Sequence, residues 1–168
     1  MDGIQDIKNA LPLIMPALCE WCLHEEQIIL GKGAPLTDYE TLDARQAGVR
    51  EPGRIRLLLV DQLRLTSIGL LRRVLPALEI IRPTSAAMTL GYGIYICKIS
   101  RHNREVMVHH LVHAAKSEKP GGIDHYISMY IQQCVDHGYN AAPLELEARE
   151  TTRQILTNTP STAVNPQV

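Results

Sequence analysis

Two histidines at helical spacing are the residues of this sequence best suited to chemistry. Positions 108–114 read VHHLVHA, which places His109 and His113 four residues apart. On a helix these positions are neighbours on one face, and the two imidazoles can hold a metal ion between them, as in an H-E-x-x-H motif. A catalytic zinc ion also needs a third protein ligand and an open coordination position. The alternative interpretation is a polar patch on a half-buried helix.

A second predicted helix, which begins at Pro143 and reads PLELEA, offers carboxylates for the third position. Glu145 and Glu147 lie about 200° apart around a helix, so only one of them can face a given ion. In the alternative interpretation, both are solvated acids of a first helical turn, where the helix dipole stabilises negative charge.

Three segments carry a resemblance to a known family. They read GYGIYI at 91–96, HHLVHAAKSEKPGGIDHYISMYIQQCVDHGY at 109–139 and APLELEA at 142–148. They resemble a group of small bacterial zincin-like proteins, whose pattern is close to H-E-L-V-H, a Gly-Gly turn, a helix, a Gly-Tyr turn and P-[LM]-E-x-E-A. Residues 36–49 and 54–59 are similar to the same group, so the resemblance covers about residues 10–150. It implies a zincin-like fold and the metal site of a zinc metallopeptidase.

The ligands that the resemblance implies for Zn²⁺, or for another divalent ion, are His109, His113 and Glu145, with Glu147 as the alternative third ligand. In the related gluzincin pattern, E-x-x-x-D, the Asp orients a ligand histidine by accepting a hydrogen bond from it. Counting from Glu145 brings Arg149 to that position, and counting from Glu147 brings Thr151. Arg149 departs from the pattern, because a guanidinium group accepts no hydrogen bond.

The second position of the motif is His110, where an H-E-x-x-H enzyme carries the Glu that acts as general base. Three interpretations follow: His110 is a substitute base, a fourth ligand that closes the site, or a bystander in a protein without peptidase activity. We therefore predict a zincin-like metal-binding protein with weak or absent peptidase activity, acting on a peptide or protein. The alternatives are a catalytically inactive pseudo-peptidase that serves as a binding module, and a structural helical domain without metal.

Two cysteine and glycine patterns have structural interpretations. Cys19 and Cys22 form a C-x-x-C in the middle of a predicted helix, and no second C-x-x-C follows, so we expect core cysteines. Gly91 and Gly93 lie in a predicted strand, where they permit close approach of backbone and where an edge strand can hold an extended substrate.

Polar clusters near the histidines have both structural and functional interpretations. Arg101, His102 and Arg104 are expected to form a solvated turn, with an anion or substrate contact as the alternative. The tyrosines near the predicted site can supply an oxyanion-stabilising hydroxyl or simply pack within helices; they are Tyr126, Tyr130 and Tyr139.

Periodicity and capping signals define the elements that must position these residues. The predicted helices cover about 11–30, 37–47, 68–81, 105–116, 123–136 and 143–156, and the predicted strands cover 54–60 and 88–99. The first helix is interrupted only by Pro12 and Pro16, and the second opens with a capping box at Thr37. The fold class is therefore α+β, a mostly helical domain with a small sheet.

Composition limits the class of protein and the partners that can be expected. The chain has 168 residues, and we expect one domain over 1–156 followed by a disordered tail over 157–168. The absence of Phe favours a helical core of aliphatic side chains, and a net charge of -1 argues against binding to nucleic acid. Four Cys are too few for a disulfide scaffold. Because no signal peptide or membrane-spanning run is evident, we expect a cytoplasmic protein that does not bind membranes.

Overall fold

Helices predominate in the computed structural model, which describes residues 3–63, 71–82, 84–119 and 121–158. The helices are α1 (Gly3–Lys32), α2 (Asp38–Gln46), α3 (Leu71–Ala77), α4 (Arg104–Ser117), α5 (Gly122–His137) and α6 (Pro143–Asn158). The strands are β1 (Ala34–Pro35), β2 (Arg56–Val60), β3 (Ala87–Leu90) and β4 (Gly93–Cys97). Short 3₁₀ turns cover Pro52–Arg54, Lys98–Ser100 and Tyr139–Ala141. This architecture confirms the predicted α+β class.

The four strands form one mixed sheet in the order β1-β2-β4-β3. Strands β2 and β4 are parallel, with Leu57 opposite Ile94, whereas β3 runs antiparallel to β4 and β1 antiparallel to β2. Strand β3 therefore lies at an edge of the sheet.

Side chains alternate between the two faces of the sheet, as strand geometry requires. Ile94 and Ile96 share a core cluster with Val108 and Leu111 of α4. Leu90 and Cys97 instead belong to the cluster that contains residues of α1 and α5. The sheet thus lies between α4 on one face and α1 on the other, with α5 packed against α1, and this arrangement presents one side of α4 to the sheet.

Several local predictions are confirmed. Helix α2 begins with a capping box, in which Thr37 N donates to Glu40 Oε2 at 2.8 Å and Glu40 N donates to Thr37 Oγ1 at 3.3 Å. Asn103 caps α4 by accepting from Val106 N. Helices α4, α5 and α6 match the predicted ranges within two residues at each end, because their capping and breaking signals are local in sequence.

The predicted strand over 88–99 is wrong, since the structure forms a hairpin of β3 and β4 there. Gly91 turns the chain with a φ of 59°, and Tyr92 N donates to Glu26 Oε1 of α1 at 2.8 Å. A positive φ is accessible mainly to glycine, so this residue permits the reversal. Gly93 accordingly lies in β4, between β2 and β3, and the edge strand is β3.

The other differences concern the ends of elements. Helix α1 begins at Gly3, eight residues before the predicted start, and contains Pro12 and Pro16. Strand β2 begins at Arg56, because Pro52–Arg54 forms a 3₁₀ turn. Helix α3 covers only Leu71–Ala77 of the predicted 68–81, of which 68–70 fall outside the described residues.

The predicted tail is described only in part. Residues 157 and 158 continue α6, while 159–168 lie outside the described part of the chain. Among the described helices, none has both the length and the apolar character needed to cross a membrane.

Candidate metal centre

Helix α4 brings its two predicted ligand histidines together. Because they are one helical turn apart on the same face, the Nε2 atoms of His109 and His113 lie 3.0 Å from each other. His113 is almost fully buried, and the side chain of His109 retains 18% of its exposure. The two Nε2 atoms of the predicted pair are therefore close enough together to bind one ion.

Glu145, in the first turn of α6, completes the cluster. Its Oε1 lies 3.1 Å from His113 Nε2, and its Oε2 lies 3.4 Å from His109 Nε2. The carboxylate is 1% exposed, which is exceptional for an acidic residue. Helix α6 contributes Ala148 to the core cluster that also contains Val108 of α4, and this packing carries Glu145 to the histidines.

The alternative ligand, Glu147, faces away from this cluster. Its carboxylate pairs with the Lys116 ammonium and keeps 52% of its exposure. This separation follows from helix geometry, since positions two apart project to nearly opposite sides. The structure therefore assembles His109, His113 and Glu145 and leaves Glu147 at the surface.

Two tyrosines of α5 contact the two more buried members of the cluster, His113 and Glu145. The Tyr126 hydroxyl lies 2.7 Å from His113 Nδ1, and the Tyr130 hydroxyl donates to Glu145 Oε1 at 2.7 Å. Sequence analysis named both tyrosines but did not assign these contacts. The sequence signal for these contacts is the spacing of four residues between the tyrosines, which puts both hydroxyls on one face of α5.

Arg149 lies near the carboxylate, one turn further along α6. Its Nη2 is 3.7 Å from Glu145 Oε2, while its Nη1 donates to the backbone oxygen of Asn140 at 2.7 Å. It therefore contacts the carboxylate and not a histidine. The hydroxyl that contacts His113 belongs to Tyr126 of another helix.

The cluster has an unusual charge balance. Burial would raise the pKa of Glu145, but the imidazole nitrogens of His109 and His113 and the Tyr130 hydroxyl together hold it well below its usual range. Burial also lowers the pKa of His113. The arrangement thus combines an ionised carboxylate with a neutral imidazole. Glu145 Oε2 is buried and accepts no hydrogen bond from any residue in the described ranges.

His110 lies beside the cluster but turns toward the sheet. Thr89 Oγ1 of β3 donates to the backbone oxygen of His110 at 3.1 Å and lies 3.0 Å from its Nδ1. A threonine hydroxyl has one proton, so Nδ1–H must be the donor in the second contact. The lone pair of a neutral His110 is therefore on Nε2. Burial also lowers the pKa of His110 well below that of free imidazole.

The remaining candidates are structural. Residues 101 and 102 form a turn, as expected, but both arginines are paired: Arg101 contacts Glu40, and Arg104 donates to Asp43 at 3.0 and 2.7 Å, which joins this part of the chain to α2. His102 is exposed. The expectation of core cysteines fits the structure, in which all four are free thiols and Cys19 and Cys22 lie within α1.

Comparisons with known proteins return nothing significant: no family model, curated protein or solved structure matches this chain.

Proposed function

We propose that this protein is a zincin-like metal protein that binds one divalent cation, zinc by preference, through His109, His113 and Glu145. The observation that carries the proposal is the convergence of these three side chains, one of whose donor atoms, Glu145 Oε2, is a buried carboxylate oxygen to which no described residue donates a hydrogen bond. The partly exposed Arg149 guanidinium lies 3.7 Å from this oxygen. A cation bound directly to it would compensate its burial more fully.

The donor set and its spacing fit a zinc ion. Two imidazoles and one carboxylate are the protein ligands of a well-known class of catalytic zinc site. Zinc–ligand distances of about 2.0–2.1 Å in a tetrahedron require donor atoms about 3.3 Å apart. The two histidine Nε2 atoms are 3.0 Å apart, Glu145 Oε2 is 3.4 Å from His109 Nε2, and all three residues offer donor atoms within 4.8 Å of one another.

Tyr126 and Tyr130 orient the donor groups of His113 and Glu145. When His113 offers the lone pair of Nε2, its proton is on Nδ1 and is donated to the Tyr126 oxygen. Tyr130 fixes one oxygen of Glu145, which leaves the other available. Contacts of this kind orient metal ligands and set their basicity.

A zinc ion bound by three protein ligands supplies a Lewis acid and lowers the pKa of a coordinated water molecule. We propose that hydrolysis of peptides at this site is weak or absent, because His110 replaces the carboxylate base. A catalytically inactive binding protein is the alternative, supported by the hydrogen bonds that turn His110 toward Thr89.

Metal analysis of protein purified without a histidine tag tests the proposal. We expect about one zinc ion per chain, and removal of the ion by a chelator. Glu145→Ala should lower the affinity for zinc by well over tenfold, because it removes a ligand. Glu147→Ala is the matched control and should bind zinc almost normally. A metal-free wild-type protein that also fails to bind added zinc, or equal effects of the two variants, would contradict the proposed ligands.

A further inference from the structure

A cavity of about 580 Å³ adjoins the candidate metal centre. Most of its wall is apolar, and Leu18, Trp21, Leu75, Ile127 and Ile131 of α1, α3 and α5 contribute to it. These side chains are buried members of one core cluster, yet they also line this open space.

The space is partly open to solvent and extends inward between buried side chains. Apolar cavities much smaller than this one, of about 150 Å³, stay dry and bind benzene. Small-molecule sites typically occupy about 300–1,000 Å³ and have mainly apolar walls. The cavity therefore has the size and lining of a binding site.

The candidate metal centre forms part of the same lining, through His109, His113 and Glu145, with Arg149 beside them. Other polar residues, among them Thr89 and Glu105, also line the cavity. A ligand that fills the whole space must therefore combine an apolar body with a polar group that reaches this cluster.

We propose that the cavity binds an extended apolar group, either an aliphatic chain or a bulky apolar side chain, in a ligand whose polar group lies at the histidine–glutamate cluster. The polar half of this inference rests on the proposed metal function, whereas the apolar half does not. The two can therefore be tested separately.

Trp21 provides the measurement. It is the only tryptophan in the chain and it lines the cavity, so its fluorescence reports directly on occupancy. Metal-free protein would be titrated with straight-chain carboxylates of increasing length. Each methylene that becomes buried should tighten binding about fourfold, until the cavity is full and the affinity reaches a plateau. Affinity that rises without a plateau, or an unchanged fluorescence with every probe, would overturn the proposal.

A pair of cysteine variants separates cavity binding from adsorption elsewhere. Cys22→Leu adds volume at a buried residue that lines the cavity, so the plateau should move to shorter chains. Cys134→Leu makes the same change at a buried residue outside the lining and should leave the plateau unchanged. Should Cys22→Leu fail to fold, Ala86→Leu offers a second filling variant at the cavity wall. A plateau that stays fixed in folded Cys22→Leu and Ala86→Leu proteins would refute the cavity as the binding site.

A comparison of two probe series identifies the source of the apolar group. Acetylated peptides that carry one leucine or phenylalanine would be titrated beside the carboxylates, and tighter binding of one series assigns the ligand class.

A variant without the metal site tests whether binding of the apolar chain depends on metal. Binding of the apolar chain should persist in His109→Ala protein, which disables the metal site. Loss of chain binding in that folded variant would contradict the claim that the apolar cavity binds independently of the metal site. If the wild-type protein binds the chains but not zinc, that result would count only against the proposed function.

Discussion

His110 occupies the helix position at which an H-E-x-x-H enzyme carries its general base. Its Nδ1 is committed to Thr89, and burial lowers its pKa well below the ordinary value. Its contact with Thr89 of β3 also directs the ring toward the sheet. These features agree with the proposal that His110 does not replace the missing carboxylate base.

We expect His110→Glu to increase the chelator-sensitive hydrolysis of casein by the zinc-loaded protein. Well-placed acid–base groups typically contribute about 10²–10⁴-fold, so the gain should be easily detected. His102→Glu, the same substitution at an exposed residue eight positions earlier, is the control and should change nothing. Strong activity in the unmodified protein that falls in the His110→Glu variant would instead identify His110 as a working base.

The β3–β4 hairpin is the element that places the edge strand against α4. Its turn depends on Gly91, because a Cβ there would lie 2.1 Å from Glu26 Oε1 and the φ angle is already positive. The same carboxylate oxygen accepts the hydrogen bond of Tyr92 N. Since Thr89 lies in β3, a displaced hairpin would also disturb its contacts with His110.

Gly91→Ala should therefore lower the free energy of unfolding by about 2 kcal/mol or more, from the combined cost of the left-handed backbone and the lost contact. Urea denaturation measures this change. Gly53→Ala is the matched control: a Cβ added there would meet no described atom within 4 Å beyond its chain neighbours, and the substitution should be nearly neutral. Equal stability of the two variants would show that the turn does not depend on glycine.

At the scale of the whole molecule, the metal ion would join helices that are distant in sequence. His109 and His113 lie on α4, whereas Glu145 lies on α6 and the tyrosines behind them on α5. Without a cation, the buried carboxylate oxygen receives no hydrogen bond from the described part of the chain. A ligand that binds only the folded state stabilises that state according to its concentration and affinity.

We expect zinc at one hundred times its dissociation constant to raise the free energy of unfolding by about 2.7 kcal/mol. Calorimetry should record a corresponding rise in the melting temperature, reversed by a chelator. Glu147→Ala should keep this response and Glu145→Ala should lose it. An equal rise for both variants would show that the stabilising ion binds elsewhere.

Features that depend on neighbours along the chain could be predicted before the fold was known. The spacing of His109 and His113 predicted a shared face because helix periodicity is local. The capping box at Thr37 and the breaks at glycine and proline likewise predicted where helices begin and end. Composition and periodicity were sufficient for the α+β class.

Which groups complete the cluster depends on how the helices and the sheet pack together. Sequence spacing showed that Glu145 and Glu147 face opposite ways, but the packing of α6 on α4 determined that Glu145 turns inward. Tyr126 and Thr89 reach His113 and His110 from other elements, through contacts that local periodicity does not encode. The single predicted strand became a hairpin for the same reason: alternation is alike in one strand or two, whereas the reversal at Gly91 depends on Glu26 of a distant helix.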